Sequence, residues 1–440
     1  MATFVEPRLP RGMRDMLPQK MLQRRYVIGV VERVFERFGF EPLQTPVLEL
    51  QQTLTGKYGP DAEKLIYDAR HLEGKEDLAL RYDLSVPLSR VVAMNPELIK
   101  PFKRYQIAPV WRAERPQKGR YREFYQCDAD IVGTASMLAD AEIVTMIFTV
   151  LSELGFKQFV TKLNNRKVLT ALGEYSGVSP ALLGGLYRAL DKLDKIGQDG
   201  VRDEMLKNEI PSDTVTKILD LSARSVDDLE AWRERFREYP RGIEGINEMI
   251  ELKQFAIAMG VSPDRLQIDL TMVRGLEYYT GPIFETVVTE PKIGSLTGGG
   301  RYDGLVGLFS KNSLPVTGTS LGIERIIDVM DELKMYPPDL GTTVVDVLVT
   351  VFEDELRAAS LSVATELRAA GINAEVWYDL DALGKQLRYA AARGIPYVVI
   401  IGPDETAQDS ATFRDLATGE QVQITRGELA KALKEKLQRA

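Results

Sequence analysis

The strongest constraint on this chain is a stretch of alternating side chains in its first third. Lys103 to Trp111 and Glu123 to Asp130 read as two strands, and the loop between them carries Arg115, Lys118, Arg120 and Arg122. Successive side chains of a strand point to opposite faces, so Arg122, Phe124, Gln126, Asp128 and Asp130 share one face of the returning strand. Val110 and Arg112 share a face near the end of the first strand. A sheet face holding glutamine and two aspartates calls for a ligand to satisfy them, because buried polar groups without partners are costly. Cations, one aromatic ring and carboxylates together suit a triphosphate, a flat base and a small polar or cationic ligand better than an apolar core.

Composition narrows the chemistry. One histidine, His71, and one cysteine, Cys127, occur in 440 residues. No histidine pair is available for zinc or for a serine–histidine arrangement, no internal disulfide can form, and no protein-held metal site is expected. His71 reads as an ordinary polar residue of a hairpin region. Arginines, carboxylates, tyrosines and backbone amides must do the work, which suits phosphate chemistry run by positioning and charge. A net charge of -8 argues against nonspecific coating of nucleic acid but leaves room for a local basic track. No membrane span or secretory signal is visible, and the expected location is cytoplasmic, with no membrane partner.

The length calls for two or three domains. Lys20 to Phe38 reads as an amphipathic helix, and Phe40 to Glu49, broken by Pro42 and Pro46, as extended chain. Leu78 to Val86 is a strand candidate with Arg81, Asp83 and Ser85 on one face, and Pro87 starts a helix through Met94. Residues 166–262 are helical, charged and interrupted by turns, between strand signals at Phe159 to Leu163 and Leu266 to Met272. That pattern suggests one sheet with a helical insertion. Residues 332–341 read as a linker. Beyond it, strands alternate with helices, as expected of a small, mainly parallel α/β domain over 342–440.

Two further segments join the hairpin as site candidates. The loop Val273 to Gly281 holds Arg274, Tyr278 and Tyr279 between two strand candidates, where loops deliver side chains to a site. The glycine run Gly298 to Gly300, followed by Arg301, Tyr302 and Asp303, reads either as tight turns or as backbone open to close approach. Gly318 to Arg325 leads into a helix, and Arg325 at its start can hold a phosphate. Neither glycine segment fits a dinucleotide fingerprint or a P-loop.

Together these segments resemble the signature motifs of class II aminoacyl-tRNA synthetases. Phe40 to Glu49 is similar to motif 1, Phe102 to Asp130 to motif 2 and Gly318 to Arg325 to motif 3. Within that class, Arg274 to Tyr279 and Gly298 to Gly304 resemble the two histidine-specific segments of histidyl-tRNA synthetases, and Lys385 to Ala390 extends the likeness into the C-terminal part. The resemblance implies an α+β fold: an antiparallel catalytic sheet flanked by helices over residues 1–331, the helical insertion at 166–262, and a C-terminal α/β anticodon-binding domain at 342–440.

The same resemblance implies histidine, ATP accompanied by Mg²⁺, and tRNA(His) as substrates, and a homodimer formed through motif 1. Histidine would attack the α-phosphate of ATP, and the adenylate would then pass to the 3′ end of the tRNA. Carried over residue by residue, Arg112 and Arg274 are the catalytic cations, and Arg112, Arg120, Phe124 and Arg325 hold ATP. Asp83, Ser85, Gln126, Asp130, Tyr278 and Tyr279 hold histidine, and Arg115, Gln117 and Arg122 meet the tRNA acceptor end. The sequence departs from the common bacterial pattern at Arg81-Tyr82-Asp83-Leu84-Ser85, where many bacterial members carry Arg-Pro-Glu-Gly-Thr. Asp83 and Asp130 are each one methylene shorter than the glutamates of that form. The competing reading is a noncatalytic histidine-sensing paralogue, such as the regulatory subunit of ATP phosphoribosyltransferase. Such a paralogue lacks the C-terminal domain.

Overall fold

The computed structural model describes residues 5–437 except 59, 118, 191, 223–228 and 274–277. It divides into two compact units, residues 1–14 with 27–335, and residues 15–26 with 336–440.

In the larger unit the described strands are β1 (Glu41–Pro42), β2 (Leu48–Leu50), β3 (Asp68–Ala69), β4 (Leu78–Leu80), β5 (Phe102–Trp111), β6 (Glu123–Val132), β7 (Phe159–Asn165), β8 (Leu266–Ile268), β9 (Pro282–Val288), β10 (Thr297–Arg301) and β11 (Val316–Gly322). Eight of them form one sheet in the order β1-β5-β6-β11-β10-β9-β7-β8, and β2, β4 and β3 form a small second sheet. The large sheet is antiparallel from β5 to β7 and gains a parallel strand at each edge, β1 beside β5 and β8 beside β7. It is therefore a mixed sheet with an antiparallel centre. β5 and β6 are the predicted hairpin, ten residues each and fully paired from Phe102 opposite Val132 to Trp111 opposite Glu123.

The helix Met137–Glu153 packs on this sheet and is apolar nearly all round, as a helix buried on most sides must be. Ser136 caps it by accepting a hydrogen bond from Leu138 N. The described residues within 166–258 form a series of helices packed into two apolar cores, one around Leu186, Val201 and Ile218, another around Trp232, Phe236 and Ile246. The strands before and after this helical stretch, β7 and β8, lie side by side in the sheet, so its ends leave and re-enter at one edge.

Two local expectations change. The strand expected over Leu78 to Val86 ends at Leu80, and the helix starts at Ser85 rather than Pro87. Asp83 turns back to accept a hydrogen bond from Val86 N at 3.0 Å, which favours helix initiation over extended chain. Arg81, Asp83 and Ser85 therefore do not share a strand face. Of the two readings of Gly298 to Gly300, close approach holds and tight turns do not: the three lie inside β10, where neighbouring groups press closely on the backbone. A Cβ on Gly299 would meet Gly318 O at 2.1 Å and the Phe284 ring at 2.5 Å.

The smaller unit holds β12 (Val347–Val349), β13 (Ala374–Val376), β14 (Tyr397–Ile400), β15 (Ser410–Asp415) and β16 (Gln421–Thr425) in the order β13-β12-β14-β15-β16. The first two pairings are parallel and the last two antiparallel, so the sheet is mixed rather than mainly parallel. The reason is the hairpin β15–β16, which returns directly on itself where a parallel strand would need a crossover. The helices Leu383–Arg393 and Arg426–Leu437 belong to the expected alternation of strands and helices.

Candidate active site

A cleft of about 250 Å³ opens over the centre of the large sheet, lined by β6, β10 and β11, by Arg112 and residues of the loop after it, by the Asp83–Ser85 turn and by Tyr278 and Tyr279. The cavity face of β6 presents Phe124, Gln126, Asp128 and Asp130 in succession. Its two ends differ in chemistry.

At the Phe124 end the lining is cationic and aromatic. The Arg112 guanidinium lies 4.4 Å from the Tyr82 ring centroid and 5.2 Å from that of Phe124, and its Nε donates to Tyr82 O at 3.1 Å. These contacts hold a planar cation in one orientation, leaving little freedom to lose on binding phosphate. Arg325, in the first turn of the helix Ile323–Glu332, donates from Nη1 to Ser295 O at 2.7 Å. Arg120 also lines the cleft and pairs with Glu114 at 3.0 Å. Glu324 faces the same end, but its carboxylate is paired with Arg14, whose guanidinium lies 3.7 Å from the Tyr121 ring centroid.

The other end is acidic and deeply buried. Asp83 accepts from Tyr58 Oη and Val86 N, each at 3.0 Å, through one oxygen, while its Oδ2 is buried without a hydrogen-bond partner. Gln126 donates from Nε2 to Ser320 Oγ at 2.9 Å, which leaves its Oε1 unpartnered. Asp130 is held by the Tyr302 hydroxyl on Oδ1 and by Arg104, 2.6 Å from Oδ2. Burial pushes the carboxyls of Asp83, Asp128 and Asp130 upward, and Arg104 works against the shift at the last two. For Asp128 the rise reaches about 7. Burial likewise pushes the hydroxyls of Tyr58, Tyr278 and Tyr302 well above their ordinary range, so all three are neutral hydrogen-bonding groups.

The cleft thus gathers Asp83, Ser85, Arg112, Arg120, Phe124, Gln126, Asp130, Tyr278, Tyr279 and Arg325 from the sequence reading. Arg115 and Gln117 are exposed and outside its lining. Arg122 is half-buried and serves the loop itself, donating to Glu114 O at 3.0 Å and Arg11 O at 3.3 Å. Arg274, with Gly275 to Glu277, and Lys118 lie outside the described residues. Sequence reasoning left Tyr58, Arg104, Asp128, Tyr302, Ser320 and the Arg14–Glu324 pair without roles. Asp128 and Arg104 had a signal: the first on the alternating face, the second opposite Asp130 in the hairpin. Tyr58 had none, because its place beside Asp83 depends on how the small sheet packs.

The family described as Histidyl-tRNA synthetase matches residues 12–326, and an anticodon-binding domain matches residues 345–436. The chain belongs to the histidyl-tRNA synthetase family. It is 43% identical to the histidine–tRNA ligase of Aeropyrum pernix over 97% of this chain and 98% of that one, and 40% identical to that of Cytophaga hutchinsonii over 97% and 99%. A crystal structure of histidyl-tRNA synthetase from Nostoc sp. PCC 7120 superposes with a TM-score of 0.85 at 32% identity, covering 98% of this chain and all of that one. In this family member the C-terminal sheet belongs to the anticodon-binding domain.

Proposed function

We propose that the chain is a histidine–tRNA ligase that activates histidine with ATP and passes the histidyl group to the 3′ end of tRNA(His). The observation that carries this reading is the two-ended cleft: a cation-and-ring end at Arg112, Phe124 and Arg325, and an acidic, acceptor-rich end at Asp83, Gln126 and Asp130. Phe124 offers its ring to adenine, and Arg112, Arg120 and Arg325 offer charge to the phosphates. Asp83, Ser85, Gln126, Asp130, Tyr278 and Tyr279 take the amino acid.

Adenylation needs little proton chemistry from the protein. The attacking carboxylate of histidine is ionised at neutral pH, so no general base is required, and a chain with one histidine is not handicapped. Positioning and charge remain. Arg112 would stabilise charge at the α-phosphate, and Arg274 is proposed beside it on its sequence context alone. Mg²⁺ enters with ATP, held by the phosphates. Among the described residues no group of three or more histidine, cysteine, aspartate or glutamate side chains could hold a metal, and Glu324 at that end is engaged by Arg14.

Arg115 and Gln117, both exposed, would meet the tRNA acceptor end, with Arg122 bracing their loop. A homodimer through residues 40–49 and a cytoplasmic location complete the proposal; no described helix is long and apolar enough to cross a membrane. The histidine-sensing paralogue is not favoured, since relatives near 40% identity along nearly the whole chain are histidine–tRNA ligases. Pyrophosphate exchange into ATP, run with each amino acid in parallel, tests the reading: histidine alone should stimulate it. Normal histidine binding without exchange would return the chain to a sensing role.

A further inference from the structure

Residues 11–14 precede the first helix, Pro18–Arg37, and belong to no strand, yet they are stitched to the wall of the cleft. Arg122 N donates to Gly12 O at 2.9 Å, and Arg122 Nη1 donates to Arg11 O at 3.3 Å. Gly12 has a φ of +85°, and a Cβ there would stand 2.7 Å from Pro116 Cγ and 2.9 Å from Arg122 Cγ. The segment therefore lies flush against the loop between β5 and β6, an approach that glycine permits.

Arg14 completes the seam. Its guanidinium lies over the Tyr121 ring and pairs with Glu324 in the first turn of the helix Ile323–Glu332. That carboxylate also faces β6, with Oε1 3.5 Å from Tyr125 N. Arg325 reaches the same loop from the helix, donating from Nε to Gly119 O at 3.4 Å. The loop residues Gly119 and Tyr121 are thus gripped between an N-terminal strap and one helical turn. Both line the cleft, as do Glu324 and Arg325, whereas Arg14 does not.

Charge gives this seam a second consequence. Glu324 is 4% solvent-accessible and sits at the cationic end, where a triphosphate is proposed to bind. A buried carboxylate there without a cation beside it would repel incoming phosphate, because water screens it poorly. Paired with Arg14 it contributes little net charge, and the guanidinium groups of Arg112 and Arg325 set the potential that a phosphate meets.

We propose that residues 11–14 strap the loop to the helix Ile323–Glu332 and that Arg14 is a positioning residue for ATP. It cancels the Glu324 carboxylate and holds the Tyr121 ring while touching no substrate itself. This role rests on the proposed function, since Arg14 affects binding only if a triphosphate enters that end of the cleft.

The test is steady-state pyrophosphate exchange, with ATP and histidine varied separately, for the wild type, Arg14→Met, Arg14→Lys and the double variant Arg14→Met with Glu324→Gln. Thermal melting of each confirms folding. Arg14→Met should raise KM for ATP about tenfold or more and leave KM for histidine within about twofold, because the stranded charge lies at the phosphate end. The double variant, which removes that charge, should recover most of the loss. Arg14→Lys, which keeps the charge but not the planar stack, should fall between Arg14→Met and the wild type. An unchanged KM for ATP in Arg14→Met, or a double variant as weak for ATP as the single one, would overturn the assignment. Equal rises for both substrates would overturn it too, by making Arg14 a general support of the fold. Should Arg14→Met not fold, Arg14→Gln is read by the same criteria. Absence of histidine-dependent exchange in the wild type would instead overturn the function itself and this assignment with it.

Discussion

Gly318 lies directly against Asp130, which it faces in register across β11 and β6. A Cβ on Gly318 would stand 1.9 Å from Asp130 Oδ1 and 2.9 Å from Ala129 O, so the carboxylate occupies the space a side chain would need. Arg104 and Tyr302 hold that carboxylate from its other sides. The glycine is there for close approach, and the floor of the cleft depends on it.

Gly318→Ala should therefore cost about 1–3 kcal/mol by overpacking, read from urea denaturation. It should also raise KM for histidine more than KM for ATP, because the displaced group is at the acidic end. Wild-type stability together with wild-type kinetics would show that the carboxylate has room to move.

Arg301 lies in the same segment as Tyr302 but points to the structure rather than the cleft. It pairs with buried Asp140, donates from Nη1 to Thr134 O at 2.9 Å, and shares Asp140 with Thr317 Oγ1 at 2.7 Å. Arg301→Met should cost about 3–5 kcal/mol by stranding a buried carboxylate. That deficit should shrink in acid, where protonation of Asp140 removes the charge. A pH-independent deficit would assign the loss to packing instead.

Stability of the ligand-free protein should fall as pH rises from about 4 to about 7. The folded-state pKa of Asp128 is raised from 3.8 to about 7, so the folded chain holds a proton that the unfolded chain releases earlier. The contribution is complete below the unfolded value and lost as pH passes through the folded one. Asp128→Asn should flatten this slope in thermal melts across the interval, and an identical slope would locate the titration elsewhere.

Phe124→Ala should raise KM for ATP about tenfold, from the loss of base stacking, with little change in KM for histidine. Comparable rises for both substrates would mean that the ring supports the strand instead of the base.

Removal of residues 342–440 should reduce tRNA charging far more than histidine-dependent exchange, provided circular dichroism shows the remaining chain folded. Equal loss in both steps would contradict a division of labour between the two parts.

Much of this architecture was legible in the sequence, since local pattern and motif content decide it. The period-two alternation placed Phe124, Gln126 and Asp130 on one face of β6, and prolines and glycines marked where elements end. The Asp83 turn and the glycines of β10 were harder to read. Three residues of extended chain and a side-chain cap differ little in sequence from a longer strand, and glycine looks the same whether it bends a turn or lets two strands approach.

By itself the sequence determined which residue types were available: arginines, carboxylates and tyrosines, with almost no histidine or cysteine. It also determined the family and the order of the elements. Tertiary structure decided which carboxylates are already spoken for. Asp128 and Asp130 are equivalent by alternation, two residues apart on one face. They become different only because Arg104 from β5, Tyr302 beyond β10 and Gly318 from β11 converge on Asp130, while one oxygen of Asp128 is left in the cleft. Partners that meet across a sheet from segments nearly 200 residues apart have no signature in the local chain, because their proximity comes from the packing of the whole sheet.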